Sequence, residues 1–94
     1  MAENLQKLIF GHALAKTSSA QLQAWLLANK TGDARLRARL PSGWRVGDKT
    51  GSGERGSTND VGILWPPDSA PIIVATYLTE TAAPADKRNV ALAE

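Results

Sequence analysis

Lys49, Thr50 and Gly51 close an apolar-alternating run that begins at Trp44, and Ser52 and Gly53 follow them directly. The triplet sets an ammonium, a hydroxyl and a length of bare backbone at the end of one element. That combination suits an anionic acyl substrate. The cation attracts a carboxylate, the hydroxyl adds a hydrogen bond, and the glycine leaves room for close approach. A tripeptide recurs by chance, and taken alone a solvated strand end explains it as well.

The same stretch runs on as Gly51-Ser52-Gly53-Glu54-Arg55-Gly56, a literal G-x-G-x-x-G. A dinucleotide site needs a helix to start there, but strand-like alternation follows. A kinase glycine loop does sit in a hairpin, yet the downstream lysine strand, H-R-D and D-F-G are absent. A Walker loop needs glycine directly before the lysine, where Asp48 stands. Glycines of a bulged hairpin turn explain the spacing unaided.

The rest of the composition narrows the chemistry by exclusion. With no cysteine, disulfides and thiolate metal sites are ruled out, and the one histidine, His12, makes no metal cluster. No metal or cofactor is expected. A net charge of +2, with basic residues that lack interleaved aromatics, speaks against nucleic acid. No apolar run approaches the ~20 residues of a membrane span, and no signal peptide pattern opens the chain. His12 is read as a surface residue, and Trp25, Trp44 and Trp65 as core or rim packing rather than ligand contacts.

The elements that must position the triplet follow from periodicity. Residues 2–10 read as a short helix with Leu5, Leu8 and Ile9 on one face and Gly11 as its stop. Ser18 and Gln21 fit a capping box ahead of a second helix at 18–30, with Leu22, Trp25, Leu26 and Asn29 at helical spacing. Residues 33–43 are basic and irregular, with Arg35, Arg37 and Arg39 alternating. Strands are predicted at 44–52, 59–65 and 71–79 around the turns Gly53–Gly56 and Pro66–Asp68. The run Ile72–Tyr77 is continuous enough for a strand covered on both faces. A last helix begins near Pro84. The fold class is α+β: helices, a three-stranded antiparallel sheet, then a truncated helix. Helical periodicity from Ala2 onward and an uncapped end at Glu94 lead us to expect 1–94 to be a single partial domain cut from a longer chain. One sheet edge of such a piece is apolar and unpaired.

From Leu5 to Asn89 the chain resembles the C-terminal part of class A serine β-lactamases. The resemblance rests on Leu5–Leu8, Trp25-Leu26, Asn29–Asp33, Leu36-Arg37, Leu40-Pro41, Gly43-Trp44, Gly47–Gly53, Asn59-Asp60, Trp65-Pro66, Ala70–Ile72 and Tyr77. K-T-G belongs with S-x-x-K and S-D-N in this family. The resemblance makes the segment part of the β-lactamase α/β domain and implies roles. Lys49 and Thr50 hold the substrate carboxylate, Gly51 admits the substrate, and the backbone N–H of Ser52 is one of two oxyanion-hole donors. Gly53 and Glu54 border the acyl side chain, and Thr31 lines the same pocket. Many members carry an arginine where Thr58 stands; others supply the guanidinium from the preceding loop, where Arg35 sits. Arg35 is thus read as the compensating carboxylate cation, against the alternative of a surface arginine.

The nucleophile is missing. Serines stand at 18, 19, 42, 52, 57 and 69, and three residues on lie Gln21, Leu22, Arg45, Arg55, Asp60 and Ile72, none of them lysine. Neither Ser-Asp-Asn nor E-x-x-L-N occurs. The family places these motifs upstream, so the chain alone is expected to hydrolyse no β-lactam. The implied partners are the N-terminal portion of the enzyme and, once complete, a β-lactam; the implied parent is periplasmic or secreted. Two other readings stand beside this one. One is a noncatalytic fragment that self-associates through its exposed strand edge. The other is a piece of a penicillin-binding transpeptidase, which shares Lys-Thr-Gly.

Overall fold

Periodicity and alternation resolve into α1 (Ala2–Ile9), α2 (Lys16–Ala28), β1 (Arg45–Ser52), β2 (Thr58–Trp65), β3 (Ile72–Leu78) and α3 (Ala85–Ala93). The computed structural model describes residues 1–94. The α+β arrangement is as the sequence implies, with an antiparallel meander in the order β1-β2-β3.

Register follows from the hairpin. Ser52 pairs with Thr58 at its closed end and Arg45 with Trp65 at its open end. In the connection, the N–H of Gly53 donates to the Ser57 carbonyl at 3.0 Å and the N–H of Ser57 donates to the Glu54 carbonyl at 3.1 Å. Arg55 and Gly56 both take left-handed backbone, at φ 57° and 73°. Gly56 is required twice over: a Cβ there would also collide with the Thr81 carbonyl oxygen. The 79–81 segment braces this turn, since the Glu80 N–H donates to the Arg55 carbonyl at 2.7 Å.

The helices cover the sheet through a small core of Leu5, Ile9, Leu26 and Ile63, with Leu22, Trp65 and Ile73 packed against it. Gly47 lets α2 lie close on β1, because a Cβ there would come within 3.1 Å of the Leu26 Cβ. The Arg45 guanidinium stacks over Trp65, 5.5 Å from the ring centroid.

Two expectations are corrected. α2 begins at Lys16 with Ala15 as its N-cap and no side-chain cap, so Ser18 lies within the helix and the capping box does not form. The hydroxyl of the next serine serves a different helix end. Ser19 Oγ lies within donating reach of the Leu8 and Ile9 carbonyls, at 2.9 and 3.1 Å. Those carbonyls close α1 and lack a following turn. β3 is not covered on both faces: it is an end strand, none of its residues is buried, and Ile72 and Tyr77 are 44% and 61% exposed. Its apolar run asks for more cover than α1 and α3 provide.

Candidate functional site

β1 carries Lys49, Thr50, Gly51 and Ser52 in succession on an edge strand that pairs with no further strand on its outer side. The 31–39 segment crosses beside it and brings two of the other expected residues. Thr31 Oγ1 and Thr50 Oγ1 share a hydrogen bond of 2.6 Å. The Thr31 hydroxyl also lies within donating reach of Asn29 Oδ1, at 2.9 Å. When Thr31 donates there, Thr50 is the donor to Thr31.

Arg35 reaches across the hairpin. Its Nη1 donates to the carbonyls of Gly51 and Asn59 at 3.0 and 2.7 Å, and its Nη2 donates to Ser52 Oγ at 2.7 Å. Its Nε donates to Asn89 Oδ1 at 2.9 Å, which ties α3 to the same point. Every partner of this guanidinium is neutral, so its charge has no ion pair. The half-buried Arg35 thus sits at the backbone next to Thr58 rather than loose in solvent. Lys49 is exposed, and its ammonium donates to the Thr50 carbonyl at 2.6 Å. Two uncompensated cations therefore flank Thr50–Ser52. Gly53 and Glu54 lie in the exposed turn beyond them.

Gly51 has room inside the chain. An added Cβ would meet Asn59 Nδ2 and Cβ at 3.6 and 3.8 Å, ordinary contact distances, and its backbone is not left-handed. No internal clash requires a glycine there.

The sequence reading missed the layer beneath. Asp48 and Asp60 are fully buried, both 0% exposed. Arg37 pairs with Asp48, Nε to Oδ1 at 2.8 Å, and its Nη2 donates to the carbonyls of Leu26 and Leu27 that end α2. The Leu36 N–H donates to Asp60 Oδ2 at 3.2 Å. Gly32 is packed so tightly on Asp48 Oδ2 that no side chain fits there. Burial, then the hydrogen bond and charge of Asp48, push Asp60 up from 3.8 to about 7; the Leu36 N–H and Arg35 pull the other way. Alternating Arg35, Arg37 and Arg39 look alike in sequence, and only the fold separates them. Arg35 goes to the hairpin, Arg37 to Asp48, and Arg39 to an exposed 3.4 Å pair with Glu94.

The strand has only one wall. All the concavities of the chain lie along the N-terminal helices; one of about 380 Å³ is lined by Leu14, Thr17, Ser18, Gln21, Leu22 and Trp25. None touches Lys49. His12 is exposed, as is Trp25, at 66%.

The model of the β-lactamase enzyme family matches residues 1–94. The chain belongs to the β-lactamase family. It is 50% identical over 93 residues to β-lactamase Toho-1 of Escherichia coli and 48% identical over 93 residues to β-lactamase OXY-2 of Klebsiella oxytoca. Each alignment covers 99% of this chain and 32% of the relative. Among solved structures, an ancestral class A β-lactamase superposes with a TM-score of 0.96 at 56% identity. The class A enzyme of the last common ancestor of Gram-negative bacteria superposes at 0.95 and 57%. Both superpositions cover 99% of this chain and 36% of the other. This β-lactamase chain reproduces the C-terminal part of the class A fold and spans about a third of the length of the relatives it matches.

Proposed function

We propose that the chain is the carboxylate-binding third of a class A serine β-lactamase and, as a partial domain, acts only when joined to the portion that carries the nucleophile. The observation that carries this reading is the convergence of Lys49, Thr50 and Arg35 on one free strand edge, with both cations unpaired. Lys49 and Arg35 hold the substrate carboxylate, and the hydroxyls of Thr50 and Thr31 complete its hydrogen bonds. Gly51 admits the ring against the strand. The Ser52 N–H is one donor to the oxyanion; a donor of this kind is worth about 10²–10³ in rate. Gly53 and Glu54 border the acyl side chain.

The upstream serine attacks the lactam carbonyl, the ring C–N bond breaks, and the nitrogen takes a proton. Water then hydrolyses the ester to release product and restore the serine. The chain's own groups bind the carboxylate and stabilise charge on the carbonyl oxygen; they provide no nucleophile for the attack. The parent is read as an exported enzyme, in the periplasm or outside the cell. The open backbone edge of β3, an end strand, is where the upstream portion completes the sheet in this reading.

The test compares hydrolysis of a chromogenic cephalosporin by the chain alone and by the chain refolded with the N-terminal two-thirds of Toho-1. The expected result is turnover in the mixture and none in either piece. Turnover by the rigorously purified chain alone contradicts the reading. So does a mixture that assembles by size-exclusion mass and stays inactive. A chain that instead forms dimers through β3 and ignores the Toho-1 piece favours a self-associating fragment.

A further inference from the structure

Asp48 on β1 and Asp60 on β2 are neighbours in the sheet, and both are fully buried. Asp48 faces Gly62 across the β1–β2 register and Thr50 faces Asp60, so the two acids are diagonal neighbours on one face of the sheet. Gly62 makes this possible: a Cβ there would stand 3.0 Å from the Asp48 Cβ and 2.7 Å from the Gly47 carbonyl oxygen. Each acid has one satisfied oxygen, Asp48 Oδ1 by Arg37 and Asp60 Oδ2 by the Leu36 N–H. The remaining two, Asp48 Oδ2 and Asp60 Oδ1, are buried without a partner. A single proton between the carboxyls satisfies both acids.

The neighbouring elements add little charge. α2 offers Arg37 only the Leu26 and Leu27 carbonyls. β3 offers the Thr76 hydroxyl, which donates to the Asp60 carbonyl at 2.8 Å. α3 carries Asp86, Lys87 and Arg88, of which only Arg88 is half-buried. The segment between α2 and β1 supplies the two cations that matter. Arg37 is paired with Asp48, and Arg35 is close enough to act on Asp60 through its field while giving every hydrogen bond to a neutral acceptor.

We propose that Asp48 and Asp60 hold one proton between them, so that Arg37 alone balances the pair and the charge of Arg35 stays free at the strand edge for an incoming anion. With both acids ionised, the second negative charge offsets the field of Arg35, which already reaches Asp60. The shared proton is then a positioning device for the anion site. Only the identity of the anion rests on the β-lactam reading.

The test is carboxyl and arginine NMR of the isotopically labelled chain between pH 3 and 9. It is run alone and with the unlabelled N-terminal two-thirds of Toho-1, for wild type and Asp60→Asn. In wild type one aspartate carboxyl is expected to titrate near pH 7, well apart from the others, and the Arg35 Nε–H signal to move in the same step. In Asp60→Asn, which keeps a donor to Asp48 and an acceptor for Leu36 without the second charge, both changes vanish. The proposal is overturned if all carboxyls titrate in the ordinary range in both samples, or if Arg35 does not follow the step. The titration contains no substrate, so failure of cephalosporin hydrolysis leaves its outcome intact.

Discussion

Arg35, Arg37 and Arg39 stand two residues apart and do three different things, and the difference is measurable. Arg37 is the counter-ion of a carboxylate with no solvent exposure. Removing one partner of a buried pair leaves an uncompensated charge and costs ~3–5 kcal/mol. Arg39 pairs with Glu94 at 3.4 Å, with both side chains more than half exposed, and exposed pairs contribute ~0–1 kcal/mol. Arg37→Ala is therefore expected to lower the urea midpoint sharply and Arg39→Ala to leave it nearly unchanged. Equal effects contradict the assignment. At this scale the sequence was legible where residue types run collinearly with a family, as in Gly47–Gly53 and Asn29–Asp33, and the family it pointed to is the one the chain belongs to. The burial of Asp48 and Asp60 was not legible, because buried acids in strands have no periodic signature. Only the diagonal of the β1–β2 register brings these two together.

At the scale of elements, the acid pair joins β1 and β2 to the 31–39 segment, so the pH dependence of stability reports on that junction. Folding raises the Asp60 carboxyl from 3.8 to about 7, so between these values the folded chain holds a proton that the unfolded chain has released. Stability then falls as pH rises across that window. Urea unfolding at pH 4, 5.5 and 7.5 is expected to show a declining midpoint for wild type. Asp60→Asn is expected to remove the Asp60 part of that decline and to exceed wild type at pH 7.5. A decline that is identical in Asp60→Asn contradicts the account. The elements were largely legible in the sequence, since hydrophobic spacing sets α1, α2 and the three strands. Serine's affinity for helix ends was real but pointed elsewhere: Ser19 reaches the end of α1 across the helix pair, which local spacing does not encode. The continuous apolar run of β3 misled, because apolar content alone does not distinguish a strand covered on both faces from an end strand with exposed residues.

At the scale of the whole molecule, the surface is too large for the mass. A free-standing protein of 10.0 kDa exposes about 5,200 Å² by the usual scaling, and this chain exposes 6115 Å². Only 11 of 94 residues are buried, and the extents of 42 × 28 × 19 Å describe a slab rather than a sphere. Free sheet edges at β1 and β3, a large surface and relatives about three times as long all accord with a chain that holds only part of its family's fold.

The most direct measurement is hydrolysis of the chromogenic cephalosporin by the chain assembled with the N-terminal two-thirds of Toho-1, carrying either Gly51 or Gly51→Ala. The methyl fits inside the chain, at 3.6 Å from its nearest neighbour, so assembly by size-exclusion mass should be unchanged. A substrate lying on the strand meets that methyl, and displacement of about 1 Å costs about 10²-fold in rate. The account predicts turnover with Gly51 and a fall of that order in kcat/KM with alanine. An assembled Gly51→Ala protein that hydrolyses as fast as the glycine form would contradict it.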